Sequence, residues 1–201
     1  VASPTGRACI PMNIGIHLQE GQRWIGPRGL GSMGYAIPSA IGACVASGKR
    51  RTIVLDGDGS LQHNLQELQL LKTYHLPIKL FIMNNGGYAS IYGMQNNHFG
   101  GYLAGCDASS GVVLPSVEKI AQTYNLPYFC VHKTDELDIV VPQVLKDDEP
   151  CVCELMSDIT FQELPHTQTR VSSDGTLSSS SLEDLFPFLP QEEVEAGILR
   201  D

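Results

Sequence analysis

Between residues 37 and 157 the chain switches repeatedly between short apolar runs and stretches whose apolar residues recur every three or four positions. The runs RTIVLDGDG (51–59), PIKLFIMNN (77–85), PYFCVHK (127–133) and PCVCELMS (150–157) are short and apolar, and they predict strands. IPSAIGACVAS (37–47) is small and apolar, stops at Gly48, and predicts a helix. In NLQELQLLKTYHL (64–76) Leu65, Leu68, Leu71 and Leu76 give an amphipathic helical pattern. In LPSVEKIAQTYNL (114–126) Val117, Ile120, Ala121 and Tyr124 share one face. TDELDIVVPQVLKDD (134–148), with Thr or Asp near its start, predicts a further helix.

Strands alternating with helices imply an α/β fold, a parallel sheet with helices on both faces. Beyond about Thr160 the alternation stops. The expected organisation is therefore one domain over 1–160 and an extended C-terminal tail over 161–201, packed on it through LEDLFPFL (182–189). In parallel sheets ligands bind outside the carboxyl ends of the strands. Two unusual stretches, GDGS (57–60) and NNGGY (84–88), follow such ends.

Composition narrows the field. The 201 residues suffice for one sizeable domain and are short for two. A formal net charge of -9 argues against a nucleic-acid surface, which needs clustered Lys and Arg. No apolar run approaches the roughly eighteen residues of a membrane span, so no membrane partner is expected. The opening VASPTGRACI lacks a secretory pattern and a Met, so the chain is expected to begin inside a larger protein. The six cysteines, Cys9, Cys44, Cys106, Cys130, Cys151 and Cys153, are dispersed in mostly apolar surroundings. They read as reduced buried thiols, which fits a cytoplasmic location. The strand spacing of Cys151 and Cys153 is read as sending the two thiols to opposite faces.

Asp58 stands between Gly57 and Gly59, which permit close backbone approach. The amides from Gly59 to Leu61 then open a helix, a favourable place for phosphate. An acid there repels phosphate unless a divalent cation stands between them. Asp58 therefore reads as a Mg²⁺ ligand bridging protein and diphosphate. Asn85, 27 residues later, ends the neighbouring strand and can add a neutral oxygen. Gly86 and Gly87 leave backbone bare for a carbonyl ligand. No G-x-G-x-x-G opens the helix that follows GDGS, and no Walker loop is present.

GDG followed by about 25 residues and NN resembles the signature of thiamine-diphosphate-dependent enzymes. The upstream GLGSMGYAIPSAIGA (29–43) resembles the acetolactate synthase-like branch, and the chain is similar to the C-terminal diphosphate-binding domain of that family. The resemblance implies that Asp58, Asn85 and the Gly87 carbonyl hold Mg²⁺. It implies that Gly57, Gly59, Ser60 and Leu61 line the diphosphate, with Ser32 and Tyr88 also on the cofactor. Met33 would support the bent cofactor, and the Gly31 carbonyl would accept a hydrogen bond from its pyrimidine amino group. Gly31 and Met33 are thus the expected catalytic positions. The implied reaction removes the C2 proton, adds the carbanion to a 2-keto acid, releases CO₂ and transfers the remainder to an acceptor carbonyl or a proton.

The resemblance also defines what this chain lacks. The family's pyrimidine-binding domain, with its essential glutamate, and its central domain are absent from these residues. The pyrimidine domain is expected from a longer chain or another subunit, in a homo-oligomer, and FAD would enter only through the missing domains. Relatives often have Asp in a strand-end D-x-G where Pro4 stands. Simple 2-keto-acid decarboxylation and a non-catalytic regulatory subunit retaining the fold stay open beside the carboligase.

Overall fold

The computed structural model describes residues 6, 15–27, 29–162, 164–171, 175–180 and 183–197. Pro4 and Cys9 lie outside them. The chain divides into two units, Val1–Phe161 and Gln162–Asp201.

In the first unit α1 (Ala36–Ala46) leads to β1 (Thr52–Gly57), which runs directly into the short α2 (Asp58–Leu61). After a 3₁₀ stretch come α3 (Leu68–Thr73), β2 (Ile78–Asn84) and α4 (Ala89–His98). Then follow α5 (Val117–Thr123), β3 (Tyr128–Val131), α6 (Leu137–Val144) and β4 (Cys151–Met156). The four strands form one parallel sheet in the order β1-β2-β4-β3.

That order explains the layers. The chain steps from β1 to β2 and on to β3 in one direction, then turns back to β4. Right-handed crossovers require a reversed step to pass over the opposite face. Accordingly α1, α3 and α5 cover one face, where Ile37, Leu68, Leu71, Val117 and Ile120 meet Val54, Leu80, Ile82 and Val152. Helix α6 covers the other face, where Leu137, Val140 and Val144 meet Phe81, Val131 and Cys153. Each fully buried aliphatic side chain of this kind contributes about 1.5–3 kcal/mol against chain entropy.

Three details differ from expectation. The helix predicted over 64–76 is broken: Gln62–Glu67 is 3₁₀, and Asn64 has non-helical φ −143 and ψ 41. A tertiary hydrogen bond wins over helical propensity there, because Asn64 Nδ2 donates to the Gly34 carbonyl at 2.6 Å. Helix α4 was not anticipated. Its sequence ASIYGMQNNH offers no continuous apolar stripe, and only Ala89 and Gly93 are buried. Cys151 and Cys153 share one face rather than pointing oppositely, since residues two apart on a strand align. The five described cysteines are unbridged.

The second unit carries an antiparallel pair, β5 (Thr169–Val171) and β6 (Leu177–Ser179), and a short helix α7 (Gln191–Gly197). Arg170 pairs with the buried Asp184 carboxylate and lies 4.1 Å from the Phe188 ring centroid.

Candidate functional site

Strands β1 and β2 are parallel neighbours, with Gly57 opposite Met83, so the segments leaving their carboxyl ends emerge side by side. Gly57 is extended and Asp58 already begins α2. The Asp58 side chain ties the two segments together. Its Oδ1 accepts from the Gly59 amide at 2.8 Å. Its Oδ2 accepts from the amides of Gly86 at 2.8 Å and Gly87 at 3.2 Å. The carboxyl is 2% exposed. Burial raises its affinity for a proton, and the surrounding amides act against that shift.

Two glycines are fixed by what touches them. A Cβ on Gly59 would sit 2.5 Å from the Tyr88 ring, and one on Gly87 would sit 2.2 Å from the Cys106 carbonyl oxygen. That carbonyl accepts from the Tyr88 amide at 2.8 Å. The segment bearing Cys106 is held in turn by Gln95, which contacts Ala104 N and O at 2.9 and 3.0 Å. Gln95 therefore has its side-chain amide engaged within the chain.

The Met33 segment is docked on the first motif. The Gly34 amide donates to Ser60 Oγ at 2.9 Å, and the Gly34 carbonyl accepts from Asn64. Gly34 has φ +72, and a Cβ there would meet Asn64 and His63 at 2.7 Å. Upstream, Gly31 has φ 59 and donates to the Pro27 carbonyl at 2.7 Å.

A cavity of about 110 Å³ lies among these parts. Of the residues expected from sequence, Met33, Gly57, Asp58, Gly59, Ser60, Asn85, Gly87 and Tyr88 line it. Gly31 and Ser32 are exposed and do not line it, and the Leu61 side chain belongs to the core at 1% exposure. The cavity also touches Ala89, Ser90 and Ile91 at the start of α4, which sequence periodicity did not reveal. Residues at the start of two helices, α2 and α4, thus line one small space, and helix N-termini suit an anion. A larger cavity of about 520 Å³ opens at the amino end of β1, beside Arg50 and Thr52. The smaller one is the candidate because both glycine-flanked motifs line it, together with Asn85, whose buried side-chain oxygen has no partner.

Asn85 Oδ1 is buried and has no hydrogen-bond donor. Asp56, fully buried, accepts from the Gly57 amide at 2.9 Å, while its Oδ2 has no partner of good geometry. Burial, with some help from Asp58, pushes the Asp56 carboxyl up to about 6, against the Ser60 hydroxyl and Gly57 amide. Unmet buried acceptors beside a carboxylate are what a bound cation would complete. The oxygen-only donors suit a hard ion such as Mg²⁺. No group of three or more His, Cys, Asp or Glu side chains able to hold a metal occurs among the described residues. A ligand rich in oxygen would therefore have to fill much of the shell.

The family model of the thiamine pyrophosphate enzyme C-terminal TPP binding domain matches residues 5–155. Acetolactate synthase 2, chloroplastic, of Zea mays is 26% identical over 191 residues, 89% of this chain and 29% of that protein. The acetolactate synthase large subunit of Porphyra purpurea is 31% identical over 135 residues, 67% of this chain and 22% of that protein. Among solved structures, the thiamine diphosphate-dependent 4-hydroxybenzoylformate decarboxylase of Rhodococcus jostii RHA1 shares the fold. Its TM-score is 0.66 at 23% identity, covering 78% of this chain and 29% of that one. The chain spans less than a third of the length of these relatives.

Proposed function

The chain belongs to the thiamine pyrophosphate enzyme family, as its C-terminal TPP-binding domain, and on that premise we propose that the cavity holds the diphosphate of thiamine diphosphate through Mg²⁺. The observation that carries this reading is Asn85 Oδ1, a buried acceptor without a donor, beside the Asp58 carboxylate. Asp58, Asn85 and the Gly87 carbonyl are the protein ligands. Asp58 accepts the Gly59 amide on Oδ1 and the Gly86 and Gly87 amides on Oδ2, which fixes the carboxylate where the ion would sit.

The residues around the ion position the cofactor. Gly57, Gly59, Ser60 and the backbone of Leu61 receive the diphosphate at the start of α2, with Tyr88 packed on Gly59. Ser60 and Asn64 hold Gly34, and so set Met33 as the support under the cofactor. Ser32 and the Gly31 carbonyl belong to the same segment and face the pyrimidine. When bound, thiamine diphosphate supplies the electron sink for breaking the bond next to a 2-keto group. The protein contributes orientation and fixed charge.

The reaction is that of an acetolactate synthase-like carboligase acting on a 2-keto acid and an acceptor carbonyl. Simple decarboxylation is the second reading, favoured by the fold shared with a decarboxylase. Products from pyruvate separate them: acetolactate for ligation, acetaldehyde for decarboxylation. Because the chain spans under a third of its relatives, the pyrimidine-binding domain and any FAD site come from other residues or another subunit, in a homo-oligomer. No helix among the described residues is long and apolar enough to cross a membrane, and the cytoplasm is the proposed location. Calorimetric titration of thiamine diphosphate into the full-length protein carrying this chain tests the site. Binding should require Mg²⁺ and vanish in Asp58→Ala; unchanged affinity in that variant would remove Asp58 as ligand.

A further inference from the structure

The face of the sheet covered by α1, α3 and α5 buries a carboxylate that the proposed site does not use. Glu154 in β4 is 6% exposed and stands opposite Ile82 and Cys130. Its Oε1 accepts from Asn84 Nδ2 at 2.5 Å, and its Oε2 accepts from the Tyr128 hydroxyl. Burial first, then the bond to Glu154, push the Tyr128 hydroxyl well above the ordinary phenol range, so the tyrosine is the donor. A carboxylate has no hydrogen to give and accepts at both oxygens.

This fixes which way Asn84 points. Its NH₂ must turn toward Glu154, which leaves its Oδ1 facing the loop. There Oδ1 accepts from the Gly86 amide at 2.9 Å. The same amide donates to Asp58 Oδ2 at 2.8 Å. A reversed Asn84 would set its NH₂ against the Gly86 N–H, donor against donor. The order of donors and acceptors therefore runs unbroken from Tyr128 through Glu154 and Asn84 to Gly86 and Asp58.

We propose that Glu154 is a positioning residue for the metal loop, acting through Asn84 to hold Gly86, and with it Asp58 and Asn85, in the arrangement that receives Mg²⁺. The proposal rests on the reading of the cavity as a Mg²⁺–diphosphate site and adds to it a residue on the next strand. Stability alone does not call for the charge. Val152, two residues earlier on the same face, is apolar, and replacing buried ionic groups by apolar ones is often neutral or stabilising. What an apolar residue cannot do is impose the orientation of Asn84.

The test measures thiamine diphosphate affinity against Mg²⁺ concentration in the full-length protein carrying this chain, together with the thermal midpoint of the ligand-free protein. Absence of Mg²⁺-dependent binding in the wild type would take down the site reading itself, and this proposal with it. Given normal wild-type binding, Glu154→Met keeps the volume but offers no acceptor, and the Mg²⁺ half-saturation should rise about tenfold or more, as for other residues that orient metal ligands. Glu154→Gln can accept from Asn84 and donate to Tyr128, and should stay within about threefold of wild type. Tyr128→Phe leaves the Asn84 link intact and should change half-saturation less than about twofold. Asn84→Ala should weaken Mg²⁺ binding as Glu154→Met does, and the double variant should be no worse than Asn84→Ala alone. A Glu154→Met protein with a lowered thermal midpoint but unchanged Mg²⁺ response would make Glu154 structural only. Additive losses in the double variant would also overturn the relay. Should Glu154→Met fail to fold, a normal Mg²⁺ response in Asn84→Ala would overturn it instead.

Discussion

At the amino end of β2, Lys79 is 1% exposed, and its ammonium donates to Asp147 at 3.1 Å and to the Glu149 carbonyl at 2.5 Å. At the carboxyl end, the loop after the same strand buries Asn85 Oδ1 with no donor at all. Both ends bury polarity, and the larger cavity is at the amino end of the neighbouring β1. Size and burial therefore do not separate structure from function in this molecule. The difference lies in completeness. Lys79 finds its partners inside the chain, whereas the acceptors around Asp58 are in surplus and call for a cation the chain does not provide.

The comparison is tested most severely at Asp58. Asp58→Asn keeps an oxygen for the Gly86 and Gly87 amides but removes the charge. Mg²⁺-dependent thiamine diphosphate affinity should fall at least about 100-fold, roughly 3 kcal/mol, as read by calorimetry. Retention of affinity would show that the carboxylate serves the fold and not an ion.

Asn85→Ala comes next, and its two readouts should move differently. Losing a neutral ligand should weaken Mg²⁺ binding about tenfold or somewhat more. The ligand-free protein should be no less stable, because the deleted oxygen is a buried acceptor without a donor. Thermal melts without and with Mg²⁺ and cofactor separate the two effects. A destabilised ligand-free variant would mean that Oδ1 is satisfied within the chain after all.

Lys79→Met probes the other end. It removes a buried charge and leaves Asp147 in contact with water, since that side chain is 60% exposed. Exchange of a buried ionic group for an apolar one of similar length should change stability by only about 1 kcal/mol, in either direction. Mg²⁺ half-saturation should stay at the wild-type value. A marked change would tie the amino end of the sheet to the site and dissolve the contrast.

Much of this was legible in the chain itself, for identifiable reasons. Strands buried on both faces read as continuous apolar runs, so β1, β2, β3 and β4 stand out and their alternation with helices gives the parallel sheet. Glycine beside Asp58 and Asn85 marks the two crossover tips, because close backbone approach needs it. Features that depend on a distant partner were hidden. Asn64 breaks its helix for the Gly34 carbonyl, 30 residues away, and nothing local announces it. Helix α4 lacks an apolar stripe, so its contribution of Ala89, Ser90 and Ile91 to the cavity emerges only in three dimensions. Glu154 looks like one polar residue inside an apolar strand. Its role depends on Asn84, 70 positions earlier.

The smallest expected effect concerns acid. Lys79, and then the Glu149 amide, hold the Asp147 carboxyl below its ordinary value of 3.8. Between the folded and unfolded values the unfolded chain binds more protons, so stability rises with pH there. The contribution of Asp147 is thus complete above the ordinary value and is lost as pH falls through the lower, folded one. Asp147→Asn removes it, so the thermal midpoint of that variant should decline less steeply on the acid side of pH 3.8 than wild type. Because Asp147 is largely exposed, the difference should be small and should shrink further in high salt. Mg²⁺-dependent cofactor binding near neutral pH should be the same in both proteins. An acid limb identical to wild type would show that Lys79 is held by the Glu149 carbonyl alone, and that the amino end of β2 keeps its buried charge without help from a carboxylate.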